Sequence, residues 1–530
     1  MKDSKGHLHQ AVASRESAKA EETSEQCYSK NDMFSTDHLR ADLKGRTMRG
    51  GAITLSAQAV RFVLGLGSTA VLARLLTPAD FGLIAMVSAM IGFLEMFKDA
   101  GLSMATVQRD KVNHWQVSTL FWVNLSLSVL LMLVVMALAP FVAWFYGEPE
   151  LVQVTLAISV TFILSGCSVQ HMAILKRQMR FTIIVAKDLT AMASGVTVAI
   201  VLAIQGAGYW ALVAMPLTST GVSMVLAWVF TRWVPGLPRR GTGIWSMLAF
   251  GGNLTGAQFF HFLSRNADNI ILGYFGGAAV LGFYTKAYGL LTLPLNQFLK
   301  PIKSVTIPSL SRVQKDIEQF RAVFTQNARI VILFVVFAVT FTFAAAPELV
   351  RIVLGPGWER SVTIFRLLAV GALIQSTNVA GSWVCTSMGL AQRQFKVAAI
   401  IAPIYTAGFL IGAKWGPEGV AIAFSVVSCA LRIPVFRYLL RDTPINPWDI
   451  FLLMYRPVIV GVGGCLVAIL AAYALDMGYV KTALTKAGVF GIIVMIAHFS
   501  GFLVLPFKAV RNLARRTRDV AQGRRVTDAP

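Results

Sequence analysis

The sequence predicts an all-α polytopic membrane protein with about 14 transmembrane helices, and three observations support that fold class. Of the 530 residues, 55% are hydrophobic and only 14% are charged, whereas soluble proteins average about 25% charged residues. Apolar stretches recur along the chain, and basic residues cluster between them. The composition excludes a soluble enzyme, a disordered scaffold and a nucleic-acid-binding protein, although the net charge is +22.

The apolar stretches are each close to the length of about 20 residues that a helix needs to cross a bilayer. They cover residues 52–73, 79–97, 115–140, 150–172, 183–205, 209–230, 244–272, 278–299, 322–346, 361–389, 395–413, 417–440, 457–475 and 484–506. The preceding residues 1–47 contain no apolar run and no signal-peptide core. They are expected to form a disordered cytoplasmic tail.

Lys and Arg residues favour one side of the membrane when the segments alternate from a cytoplasmic N-terminus. The flanks predicted to be cytoplasmic hold 31 of these residues, and the opposite loops hold six. Cytoplasmic flanks of membrane proteins are enriched in Lys and Arg. The distribution therefore supports both termini in the cytoplasm, with the basic tail 508–530 positioned to contact anionic membrane lipids.

Two parts of the chain that lie 200 positions apart share an internal repeat. Seven identities fall within 32 ungapped positions, where roughly two or three are expected by chance. The identical pairs are Gly51/Gly251, Ala57/Ala257, Gln58/Gln258, Phe62/Phe262, Leu72/Leu272, Ala79/Ala279 and Gly82/Gly282. An offset of six segments predicts two parallel-related six-helix halves, 48–232 and 233–441, around a central cavity, followed by two extra helices in 442–507.

The connections between the segments contain no recognisable enzyme site. The sequence has no GxxxxGK[ST] phosphate-binding loop, no long loop that carries paired catalytic carboxylates, and no evident Ser/His/Asp set. The five cysteines show no spacing typical of a metal site or a disulfide framework. We therefore predict a transporter without a cofactor, driven by an ion gradient, the membrane potential or the gradient of its substrate.

The clear set of basic residues within the predicted segments has six members, and ionisable groups there usually face the protein interior or a water-filled cavity. They are Arg61, Arg265, Lys286, Arg329, Arg366 and Arg432. The acidic candidates are fewer: Glu95, Asp188 and Asp268. Because arginine binds phosphate through a planar fork of donors, this excess of positive charge favours an anionic substrate.

Arg61 and Arg265 lie in corresponding first helices of the two halves and are the leading substrate-binding candidates, with Lys286 and Arg366 assisting. The alternative for both arginines is a structural ion pair, and Asp268 lies one turn beyond Arg265. Asp268 is also a candidate proton or sodium site. Arg366, like Arg329 and Arg432, could instead extend towards the lipid headgroups. The aromatic residues Tyr274, Tyr284, Trp210 and Trp358 are expected to be interfacial anchors.

Seven short motifs, in this order and spacing, resemble the Wzx-type polysaccharide transporters of the multidrug, oligosaccharidyl-lipid and polysaccharide exporter superfamily. They are LARLLTPADFG (72–82), FYGEPEL (145–151), GYWALV (208–213), SRNADNIILG (264–273), LGFYTKAY (281–288), VTIPSLSRV (305–313) and LGPGW (354–358). The resemblance covers nearly all of residues 48–507, and the two tails fall outside it.

The resemblance implies a flippase for undecaprenyl-diphosphate-linked oligosaccharide repeat units in the bacterial inner membrane. The branch of the family that the chain resembles most handles exopolysaccharides such as colanic acid or succinoglycan. The polymerase and chain-length proteins of polysaccharide assembly are the implied protein partners. Two alternatives stay open from the residues alone: a cation-coupled multidrug exporter of the same superfamily, and a membrane glycan polymerase or ligase.

Overall fold

The computed structural model describes residues 43–98, 112–238 and 259–475, together with positions 103, 106, 107 and 109. Within these ranges every regular element is helical, so the all-α prediction is confirmed. The predicted segment 484–506, both tails and the first part of segment 244–272 lie outside the described residues.

Fourteen α-helices make up the described fold. They are α1 (Leu43–Leu75), α2 (Pro78–Lys98), α3 (His114–Tyr146), α4 (Glu150–Arg177), α5 (Phe181–Ile204), α6 (Trp210–Thr231), α7 (Phe259–Arg312), α8 (Ile317–Ala344), α9 (Ala346–Val353), α10 (Arg360–Ser376), α11 (Asn378–Ser387), α12 (Ala391–Gly412), α13 (Gly416–Leu439) and α14 (Pro447–Leu475). A 3-10 turn, Ala413–Trp415, joins α12 to α13.

Within the described residues, eleven helical stretches are long and apolar enough to cross a membrane. Two of them, Asn266–Arg312 and Ala391–Leu439, are 47 and 49 residues long, about twice the length that a bilayer requires. Each bends at a glycine with positive φ: Gly277 (φ 75°) inside α7 and Gly416 (φ 70°) at the start of α13. Glycine adopts this backbone region without steric penalty. Both breaks fall between separately predicted segments.

Polar side chains cap the helices where the chain turns. At the start of α2, the Thr77 amide donates to Asp80 Oδ2 (2.8 Å), and the Asp80 amide donates to Thr77 Oγ1 (3.3 Å). At the start of α3, Asn113 and Gln116 form the same reciprocal pair. These reciprocal pairs are capping boxes, and they supply hydrogen-bond acceptors for the amide groups that the first helical turn leaves unpaired.

The chain divides into two compact units, and α1 and α2 contribute to both. The first unit comprises the described residues of Met1–Leu64 and Val87–Phe259. In it α3 packs against α4, and α5 against α6. The close approaches use small residues: a Cβ at Gly166 would meet the side chain of Ser128, and one at Gly195 would meet Ser219. Small residues let membrane helices pack closely.

The second unit comprises the described residues of Gly65–Met86 and Phe260–Pro530. Its tryptophan Trp358, from the LGPGW motif, is 1% exposed. The indole nitrogen donates to the carbonyl of Ala73 (2.9 Å), and the ring meets Phe81 and Phe283 edge-on. The prediction that Trp358 is an interfacial anchor is therefore wrong, because the side chain is enclosed by α1, α2 and α7.

Candidate functional site

Arg61 on α1 forms an ion pair with Asp188 on α5. Arg61 Nη2 lies 2.7 Å from Asp188 Oδ2, and the two side chains are 31% and 34% exposed. Both residues belong to the first unit. The pair matches the alternative of an ion pair for Arg61, but its exposure leaves the guanidinium within reach of other anions.

Lys187 brings a second positive charge to the same carboxylate. Its Nζ lies 2.9 Å from Asp188 Oδ1, and its side chain is only 3% exposed. Lys187 Nζ also donates to Ser223 Oγ on α6 (2.6 Å). We call Arg61, Lys187, Asp188 and Ser223 the Asp188 cluster. A buried ammonium is costly unless it is paired and hydrogen-bonded, so this arrangement stabilises Lys187.

Lys187 is the residue that the sequence analysis missed. It was counted among the cytoplasmic basic residues that set topology, because it stands near the start of segment 183–205. The signal that could have identified it is its position next to Asp188, inside an apolar stretch. Adjacent opposite charges in such a stretch are unusual enough to indicate a polar contact.

Asp268, the candidate for ion coupling, is buried in α7 of the second unit. Its side chain accepts a hydrogen bond from Tyr284 Oη (2.8 Å) and another from the backbone amide of Asn269 (2.9 Å). Tyr284 is fully buried, so the prediction of an interfacial anchor at this position is wrong. The side chain of Arg265, the other possible partner of Asp268, lies outside the described residues.

Lys286 on α7 contacts an aromatic ring, that of Phe81. Its Nζ lies 3.7 Å from the centroid of the Phe81 ring, on α2, and the side chain is half-buried. An ammonium group over an aromatic face is attracted by the ring's quadrupole. Because this contact leaves the charge of Lys286 unneutralised, an anion could still bind it.

Arg366 and Arg432 have separate surroundings in the second unit. Arg366 Nε donates to the carbonyl of Phe343 (3.4 Å), with its guanidinium 5.8 Å from that ring's centroid. Arg432 is buried, donates to the side chain of Asn378 and lies over the Phe436 ring (4.9 Å). The alternative that Arg432 extends towards lipid headgroups is therefore wrong. Asp268, Lys286 and Arg366 each have different partners, so their described contacts do not join them in one cluster.

Among the described residues, no group of three or more His, Cys, Asp and Glu side chains could hold a metal ion. The chemistry available in the described residues is instead that of fixed positive charges and hydrogen-bond donors. Such groups bind anions through charge-assisted hydrogen bonds.

A family model described as "Polysaccharide biosynthesis protein" matches residues 71–363. The chain belongs to this polysaccharide biosynthesis protein family. Over 393 residues it is 25% identical to the lipopolysaccharide biosynthesis protein WzxC of Escherichia coli (strain K12), covering 73% of this chain and 79% of that protein. It is 23% identical to the succinoglycan biosynthesis transport protein ExoT of Rhizobium meliloti (strain 1021), over 57% of this chain and 61% of that protein.

Among solved structures, the fold is similar to that of the lipid II flippase MurJ in an inward closed conformation. The TM-score is 0.69 at 13% sequence identity, covering 86% of this chain and 99% of that chain. At this identity the likeness shows the fold alone. The family and its relatives confirm the Wzx-type resemblance and a protein that is not an enzyme. The fold of the structural neighbour and the eleven membrane-spanning stretches of the described residues confirm a multi-pass membrane protein.

Proposed function

We propose that this chain is a flippase that moves undecaprenyl-diphosphate-linked oligosaccharide repeat units across the bacterial inner membrane, for exopolysaccharide synthesis. The observation that carries the proposal is the pairing of Arg61 and Lys187 around one carboxylate inside the apolar part of a polysaccharide biosynthesis protein. The flippase fold of the MurJ neighbour supports it. So do the names of relatives that serve lipopolysaccharide and succinoglycan synthesis.

The physical task explains why such a protein needs buried positive charge. The lipid tail of the substrate can stay in the bilayer, but the diphosphate and the sugars must cross the hydrocarbon layer. An unpaired charge in that layer is costly, by several kcal/mol even after relaxation. Fixed cations that accompany the diphosphate lower this barrier, and arginine suits the role because its fork matches two phosphate oxygens.

The proposed binding residues are Arg61 and Arg265, with Lys286 and Arg366 assisting. Lys286 supports this assignment because Phe81 holds its ammonium group without neutralising it. The proposed mechanism is alternating access, in which the site opens to one side of the membrane at a time. Both termini are proposed to be cytoplasmic, as the distribution of Lys and Arg indicates.

The proposal is tested in a bacterial strain that lacks the gene and is complemented with variants. Arg61→Ala or Arg265→Ala should abolish polymer export, while immunoblots find the protein in the membrane at the wild-type amount. Lipid-linked units should then accumulate on the cytoplasmic face. Arg360→Ala, which breaks an exposed ion pair with Glu418, is the matched control and should export normally. Normal export from both Arg61→Ala and Arg265→Ala would overturn the assignment.

A further inference from the structure

The Asp188 carboxylate is held at both oxygens by cations from two helices. Arg61 on α1 contacts Oδ2 at 2.7 Å, and Lys187 contacts Oδ1 at 2.9 Å. Ser223 on α6 completes the set with its hydroxyl 2.6 Å from Lys187 Nζ. A guanidinium, an ammonium and a hydroxyl from three helices are the donor groups that proteins use to bind phosphate oxygens.

The contact between Lys187 and Asp188 is unusual for a helix. Consecutive residues project about 100° apart around the helix axis, and neighbours at this spacing do not normally face each other. The Asp188 carboxylate nevertheless reaches the Lys187 ammonium. Local helix geometry does not account for this contact, so we attribute the position of the carboxylate to the two cations that hold it.

The three charged side chains differ sharply in exposure. Lys187 is 3% exposed, whereas Arg61 and Asp188 are 31% and 34% exposed. Ion pairs that are partly open to solvent are weak and easily exchanged. Lys187, by contrast, needs a neighbouring anion because its ammonium is withdrawn from solvent. The partly exposed Asp188 carboxylate can therefore be exchanged for another anion, whereas the buried Lys187 ammonium always requires a negative charge beside it.

The charge count leaves room for a stronger anion. Two cations face one carboxylate, so the Asp188 cluster carries one net positive charge. A phosphate group presents at least two oxygens and carries at least one negative charge. It could therefore replace the carboxylate without leaving Lys187 unpaired.

We propose that Asp188 is a place-holder: it occupies an anion site made by Arg61, Lys187 and Ser223, from which a phosphate group of the lipid-linked substrate displaces it. This inference rests on the proposed function and extends it by naming Lys187 and Ser223 as binding residues and Asp188 as their internal competitor. This displacement would break the Arg61–Asp188 ion pair between α1 and α5. Whether these two helices are linked by that ion pair would then depend on whether substrate is bound.

The test measures diphosphate binding by the purified full-length chain in detergent, with inorganic diphosphate and farnesyl diphosphate as separate probes. Asp188→Asn should bind both at least tenfold more tightly than the wild-type protein, because the competitor is gone. Lys187→Met should abolish this gain when it is combined with Asp188→Asn. Glu418→Gln removes the carboxylate of a comparable Arg–Glu pair at 2.9 Å and should leave binding unchanged.

Ser223→Ala keeps all three charges and is expected to fold, so it tests the site if Asp188→Asn does not fold. It should weaken the binding of both probes about tenfold, the equivalent of 1.4 kcal/mol. Unchanged diphosphate binding by Ser223→Ala would overturn the proposal. So would an equal gain in affinity in the Asp188→Asn single variant and in the double variant Lys187→Met/Asp188→Asn. A gain for inorganic diphosphate alone would assign the site to free phosphate and would also overturn it.

The same experiment separates this inference from the proposed function. If the wild-type protein binds farnesyl diphosphate and exports polymer but Asp188→Asn binds no more tightly, only the place-holder fails. If the wild-type protein binds neither probe and supports no export, the flippase assignment itself fails.

Discussion

Gly82 on α2 and Gly282 on α7 each face the backbone of the helix that carries the other glycine. A Cβ at Gly82 would overlap the carbonyl of Ala278, and a Cβ at Gly282 would overlap the carbonyl of Pro78. The two glycines lie 200 positions apart, as do Pro78 and Ala278. Such reciprocal contacts, in which i meets j and j′ meets i′, are what a two-fold relation between repeated segments produces.

Replacing either glycine should push these helices apart. Gly82→Leu and Gly282→Leu would force a side chain into a backbone carbonyl, and overpacking of this kind typically costs about 1–3 kcal/mol. We expect a lower Tm for the purified protein and at least a tenfold loss of polymer export. Gly289→Leu is the control, because nothing lies within 4 Å of its Cβ position. Equal export by all three variants would show that the close approach is dispensable.

Trp358 should contribute strongly to the stability of the second unit. Removing a fully buried aromatic ring costs about 3–5 kcal/mol, so Trp358→Ala should lower the Tm markedly in detergent. Trp358→Phe keeps a ring but loses the hydrogen bond to Ala73, which is worth about 1 kcal/mol. Trp415→Ala, at a tryptophan that is 68% exposed, is the matched comparison. A Tm loss in Trp415→Ala as large as that in Trp358→Ala would contradict the role of the buried ring.

Lys286 should act through its charge. Lys286→Met removes the charge and keeps the apolar stem, so export should fall at least tenfold if the ammonium accompanies the diphosphate. Lys286→Arg should retain most activity, because arginine also stacks on an aromatic face such as Phe81. The exposed Lys303 supplies the control variant Lys303→Met. Full export by Lys286→Met would remove Lys286 from the proposed site.

Asp268 and Tyr284 form a buried hydrogen-bonded pair. Substitutions of the two residues should affect different properties: the response to an ion gradient for Asp268 and the stability for Tyr284. If Asp268 carries the coupling ion, Asp268→Asn should abolish the stimulation of transport by an imposed proton or sodium gradient. Tyr284→Phe removes one donor to a charged group, worth about 1.5–3 kcal/mol, and should lower the Tm while the gradient response persists. A normal gradient response in Asp268→Asn would exclude Asp268 as the coupling residue.

Much of the fold follows from the sequence because membrane helices need long apolar runs, and these are visible without tertiary information. The break at Gly277 illustrates this: the gap between the predicted segments 244–272 and 278–299 contains it. Arg61 could be selected as a candidate from sequence, since an ionisable group within an apolar run usually faces the protein interior or a cavity, but its ion pair with Asp188 becomes visible only in the structure.

The parts that could not be predicted depend on tertiary contacts. Tyr284 and Trp358 are of the residue types that usually anchor a protein at the membrane interface, and only the packing of other helices shows that they are buried. Lys187 stands where a topology-setting lysine is expected, and only the structure shows that it is buried and donates to Ser223 on α6. The burial of Tyr284 and Trp358 depends on the packing of other helices and cannot be read from the linear sequence, whereas for Lys187 the sequence offers one signal, the adjacent Asp188.

The movement of a lipid-linked diphosphate oligosaccharide across a bilayer is the activity that we propose for this protein. Its most direct test is to reconstitute the full-length protein into liposomes that contain fluorescent undecaprenyl-diphosphate oligosaccharide, and to follow how fast the label in the inner leaflet becomes accessible to a membrane-impermeant quencher. We expect the wild-type protein to speed this movement at least tenfold over protein-free liposomes, and Arg61→Ala to return it to the protein-free rate. Equal rates with and without the wild-type protein would contradict the proposed activity.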